Sequence, residues 1–160
     1  LLPTKNRAYV TSTANVNPEI YDSDQRSIYL PVIRSALYEV LQAFDFPDPS
    51  VLNGKRQTTT IAPQALFMMN SKFVIEQIKS MAERLLSDES LDATDRVRTI
   101  YHLALNRPPT DEQVRHAVDF VERYRQQLKS RGMDEVASHL QAWQSLCRVV
   151  ISTNEFIFVE

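Results

Sequence analysis

The sequence predicts a mainly α protein: an irregular helical bundle of about five to six helices, with a loop-rich N-terminal third and at most a minor two-stranded β element. Three observations carry this prediction. Beyond Asn70, apolar residues recur at the three-and-four spacing of an amphipathic helix. Two glycines stand against eight prolines in 160 residues, which suits stiff connections between helices and leaves no glycine-rich phosphate loop. An apolar content of 43% over that length is enough for one sizeable core, which buries roughly 70% of the surface of the unfolded chain.

Residues 1–24 mix Asn, Thr, Ser and Pro without a sustained period and read as an extended lead-in. Residues 25–160 read as a single helical domain, and the opening on Leu1-Leu2-Pro3 instead of methionine reads as that of a piece of a longer protein. Ile28 to Val32 favours β structure, but Pro31 cannot donate to a ladder. From about Ile33 the stripe Ile33, Leu37, Val40, Leu41 and Phe44 predicts a helix, which Pro47 and Pro49 stop. Pro63 suits a first helical turn, so Gln64 to Met69 is expected to be a short helix.

A helix over 72–86 is predicted to bury Val74, Ile78, Met81 and Leu85, and a Ser/Asp/Glu-rich turn follows. Thr94 or Asp92 caps the next helix, over 95–105, until Asn106-Arg107-Pro108-Pro109 breaks it. Thr110-Asp111-Glu112-Gln113 has the pattern of a capping box. It opens a long helix with Val114, Ala117, Val118, Val121, Tyr124 and Leu128 inward, which ends before Gly132. A last helix over about 134–152 is expected to bury Val136, Leu140, Trp143, Cys147 and Val150. Phe156 to Val159 is β-favouring and is expected to dock beside Ile28-Tyr29-Leu30.

Composition narrows the chemistry. A formal charge of −2 gives no electrostatic reason for binding nucleic acid or anionic lipid, since nonspecific phosphate binding needs surplus Lys and Arg. The longest apolar stretches fall short of a bilayer span, so no transmembrane segment is expected in what reads as a soluble chain. The one cysteine, Cys147, excludes an internal disulfide and a Cys-x-x-Cys-His haem attachment. His102, His116 and His139 fall on three predicted helices without metal-ligand spacing, so no metal is expected. Asp22-Ser23-Asp24 and Asp45-Phe46-Pro47-Asp48 each bring two carboxylates together, as turns do and as a cation needs. Gly54-Lys55 lacks the flanks of a phosphate loop. Lys55-Arg56 beside Thr58-Thr59-Thr60 offers an anion site, or Arg56 pairs internally with Asp45, Asp48 or Glu155.

The ordered series RSIYLPVIR, AFDFPDPS, GKRQTTTIAPQALFMMN, LALNRPPTDEQ and STNEFIFV resembles the planctomycete-specific domain of unknown function. The resemblance runs from about Gln25 to Glu160. It implies a domain near the C-terminus of a multidomain parent that often carries cytochrome c-like domains, and an extracytoplasmic location, periplasmic or at the cell surface. It also implies partners among the other domains of that parent or another protein, with polysaccharide as the alternative. Cofactors are expected to be none in this chain, haem belonging to other domains. The resemblance carries no catalytic residue. Its signature maps onto a candidate binding cluster of Arg26, Tyr29, Arg34, Asp45, Asp48, Arg56, Thr59, Asn154 and Glu155. Two functions follow: a structural or protein-interaction module, or part of a carbohydrate-active or carbohydrate-binding unit completed by further N-terminal regions.

Overall fold

A computed structural model describes residues 27–29, 32, 39–44, 46, 47 and 61–157. Among these lie seven α-helices, one 3-10 turn and no strand, so the chain is mainly α, as the periodicity predicts. No helix among them is long and apolar enough to cross a membrane. The chain divides after Phe67 into two compact units.

The first unit contains the 3-10 turn Ser27–Tyr29, helix α1 (Glu39–Ala43) and most of α2 (Ile61–Asn70). Helix α1 is the end of the stripe expected from Ile33, closed by Phe44 N–H to Val40 O (3.1 Å) and Phe46 N–H to Leu41 O (3.0 Å) ahead of Pro47. The Phe44 ring meets Phe67 edge-on, with centroids 5.9 Å apart, the geometry that sets a positive ring edge on a negative face. Pro63 lies in the first turn of α2, where a missing N–H costs no intrahelical bond.

In the second unit, α3 (Lys72–Ser87), α4 (Ala93–Leu105), α5 (Asp111–Ser130), α6 (Glu135–Ile151) and α7 (Asn154–Ile157) follow one another. Helix α6 is the hub and packs against α3, α4, α5 and α7. Its buried face holds Ser138, Ala142, Trp143, Leu146, Cys147 and Val150, which explains its place: an almost wholly apolar face needs neighbours on several sides. Ser138 is tolerated there because its hydroxyl donates to Glu135 O at 2.9 Å. Burial pushes the Cys147 thiol up to about 12, so it stays protonated at neutral pH.

Local chemistry sets the helix ends. Asp92 accepts from Asp95 N–H at 2.8 Å and caps α4, whereas Thr94 lies inside the helix. Both arms of the capping box form on α5: Gln113 N–H to Thr110 Oγ1 at 3.2 Å and Thr110 N–H to Gln113 Oε1 at 2.9 Å. At the other end, Gly132 takes φ +89°, Gly132 N–H reaches Lys129 O (2.9 Å) and Met133 N–H reaches Leu128 O (3.2 Å). That pair of bonds is a Schellman motif, and a side chain at this φ would be strained.

Three expectations need correction. The β conformation expected of Ile28-Tyr29 and Phe156-Ile157 gives way to a 3-10 turn over Ser27–Tyr29 and a helical turn over Asn154–Ile157, while Leu30, Phe158 and Val159 lie outside the described residues. Thr153 O accepts from Phe156 N–H (3.1 Å) and Ile157 N–H (3.2 Å), so the backbone is satisfied locally and side-chain β preference has no ladder to act in. Val136, expected inside, is 78% exposed. It lies about 200° around the helix from buried Ser138, and Leu140 is half-buried. In α3, Ala82 is buried and Met81 only half-buried, a phase shift of one residue.

Candidate docking groove

A groove of about 330 Å³ opens in the second unit where α4, α5, α6 and the Thr153–Glu155 segment meet. Its apolar walls come from Leu105 of α4, Ala117 and Phe120 of α5, and Leu146, Val149 and Val150 of α6. Val149 is 54% exposed, although a residue of its kind usually seeks the interior. The Phe120 and Tyr124 rings stack nearly parallel with their centroids 5.9 Å apart, which stiffens the α5 wall.

One edge of the groove is polar and is organised by Arg107. Helix α4 ends at Asn106 in the left-handed region (φ 52°), whose N–H still reaches His102 O; Asn accepts this conformation better than most side chains do. Pro108 and Pro109 then prevent helix from resuming until Thr110 caps α5. That short connection holds Arg107 at the groove, and five interactions fix its guanidinium. Nε and Nη2 grip the two carboxylate oxygens of Glu155, the Nη2 to Oε2 arm at 2.7 Å. Nη1 donates to Pro108 O (3.0 Å) and Gln113 Oε1 (3.2 Å). The cation also lies 5.6 Å from the Tyr101 ring centroid, within range for a cation–π contact.

Gln113 therefore serves two structures at once, because the oxygen that completes the capping box also receives Arg107. Fork-to-fork pairing is the strong geometry for a guanidinium and a carboxylate. The Arg107 hydrogen bonds hold the Glu155 carboxyl below the usual carboxylate range, and Glu155 raises Arg107 in turn. Both side chains remain partly open to water, so the pair orients the edge more than it stabilises the fold.

Of the residues in the signature cluster, Tyr29 is exposed in the first unit, while Asn154 and Glu155 lie together in α7 of the second. Arg26, Arg34, Asp45, Asp48, Arg56 and Thr59 lie outside the described residues, as do both acidic turns' paired carboxylates and Gly54-Lys55. Sequence reasoning alone does not single out Arg107 or Tyr101. A usable signal existed in Glu155, a signature carboxylate that needs a cation, and in the one arginine placed between a helix stop and a capping box. His116 lines the groove from α5 and is exposed. Among the described residues, no group of three His, Cys, Asp or Glu side chains is placed to hold a metal ion.

Fold and groove define a mainly helical module with a small, apolar, open cleft edged by an internally paired arginine. The chain belongs to the PSD1 family, described as a protein of unknown function (DUF1553), which matches residues 3–121. That match takes in the lead-in and every motif from RSIYLPVIR to LALNRPPTDEQ, and it stops before STNEFIFV. No curated protein and no solved structure matches the chain.

Proposed function

We propose that this domain is a non-enzymatic protein-interaction module of an exported multidomain protein, and that its groove receives another domain of the same parent. The supporting observation is the groove's chemistry: apolar walls that include the exposed Val149, beside a polar edge whose Arg107 is already committed to Glu155, Gln113, Pro108 and Tyr101. A site built for substrate chemistry keeps polar groups available for the reacting atoms. A docking site needs exposed apolar surface with satisfied neighbours. On this reading the module holds no cofactor of its own, any haem sits in other domains, and the parent works outside the cytoplasm, as its resemblance to planctomycete domains linked to cytochrome c-like proteins suggests.

The test uses the full parent chain. After limited proteolysis between this domain and the rest, the wild-type module is expected to co-elute with the remainder in size-exclusion chromatography. Val149→Arg should separate them while leaving the helical circular dichroism unchanged. Co-elution that survives Val149→Arg, or a wild-type module that elutes alone, would overturn the reading.

The carbohydrate alternative draws on one observation in the first unit, the exposed side chains of Tyr29 and Phe46, whose rings offer flat apolar faces. A polysaccharide that co-sediments with the wild-type chain but not with Tyr29→Ala would favour it.

A further inference from the structure

Trp143 is the chain's one tryptophan, and among the described residues it is the largest fully buried side chain. Its Nε1–H donates to His139 Nε2, one turn earlier on α6, at 2.9 Å. An indole N–H only donates, so Nε2 must be the unprotonated nitrogen and the imidazole is neutral, with its proton on Nδ1. A core hydrogen bond therefore depends on the charge state of a group that ordinarily titrates near neutrality.

We propose that the His139–Trp143 pair is an acid-sensitive switch: protonation of His139 Nε2 ends the indole hydrogen bond and loosens the packing of α6 on α4 and α5. Two consequences of protonation act together. The Trp143 N–H loses its acceptor in a buried site, which costs a hydrogen bond without return from water. A new cation also appears among existing ones. From α4, the Arg96 guanidinium lies over the Trp143 ring at 5.9 Å; from α5, Arg125 acts on the imidazole with the same sign.

Two carboxylates oppose this, Glu122 of α5 and Glu135 of α6, and both are already engaged. Glu135 pairs with Arg125 and Lys129, and Glu122 pairs with Arg125 and accepts from Gln126 at 2.9 Å. Acceptors are scarce here: the buried Arg125 Nε–H has none among the described residues. Burial first, then Arg125 and Arg96, hold the His139 imidazole below its usual 6.5.

The unfolded chain takes up this proton near 6.5, whereas the folded chain does so only at lower pH. The unfolded state therefore binds more protons across that interval. Stability from the neutral pair is complete above pH 6.5 and is lost as the pH falls from there through the folded pKa.

Three readouts on the full chain test the switch. An NMR titration of wild type is expected to place His139 below 6.5, and Trp143 emission should change along the same curve. In His139→Gln the amide oxygen still accepts from the indole but does not titrate, so the fall of Tm with acidification below pH 6.5 should weaken at least about two-fold. A His139 titration at or above 6.5, emission that ignores it, or an unchanged slope in His139→Gln would overturn the proposal. If His139→Gln fails to fold, the wild-type titration and emission decide it alone.

Discussion

Helix α4 carries an arginine on an aromatic ring at each end, and the two contacts are built from different partners. Near its start, Arg96 covers the buried Trp143 and donates to Leu85 O and Asp88 O, both at 3.2 Å, at the end of α3. Just past its finish, Arg107 covers the half-buried Tyr101 and grips the Glu155 carboxylate. Carbonyls at a helix C-terminus neither titrate nor leave, and they carry the negative end of the helix dipole. A surface carboxylate can be protonated, screened by salt or drawn away. At neutral pH the Arg96 end is therefore closed into the core, while the Arg107 end borders an open groove.

The largest effect belongs at the closed end. Trp143→Ala should cost about 3–5 kcal/mol in a denaturant melt, as removal of a large buried aromatic does; a loss below about 1 kcal/mol, the scale of an exposed ion pair, would erase the contrast. Next comes Arg96→Met, which keeps an apolar stem over the ring but strips the hydrogen bonds to the α3 carbonyls. A loss of about 1–3 kcal/mol is expected.

The smallest effect belongs at the open end, where Glu155→Gln should leave Tm at pH 7 nearly unchanged in high salt. The ionised Glu155 contributes stability that is present above its unfolded pKa near 4.5 and is lost as the pH falls through its lower folded value. Glu155→Gln should therefore flatten only the acid limb of the Tm profile, below pH 4.5. If Glu155→Gln lowers Tm at pH 7 more than Arg96→Met does, the two ends are not as different as their partners imply.

Helices α3 to α6 were legible because hydrophobic period and capping chemistry act within a few residues. Asp92, the box of Thr110 and Gln113, and the stop at Gly132 each work through hydrogen bonds that span no more than five positions. Phase was harder to read. Val136 and Ala82 show that a stripe can be recognised while its exact centre is misplaced, since the centre depends on which neighbours approach the helix. Phe156 and Ile157 misled for a related reason: their β preference needs a partner strand, and a single helical turn satisfied the same backbone groups at no distance at all.

The candidate site was barely legible. Glu155 stood out as part of a signature, but its partner Arg107 lies 48 residues earlier, and nothing local to either residue names the other. His139 and Trp143 share a helix face by their spacing, yet only the burial of that face turns a four-residue interval into a hydrogen bond on which packing depends. For α3 to α6 the sequence by itself determined where helices begin and end, because those choices are made by short-range backbone hydrogen bonds. Tertiary structure alone decided which charges meet, that His139 accepts from a buried Trp143 and where apolar surface is left open. Those properties follow from through-space distance and water exclusion, which exist only once the helices have packed.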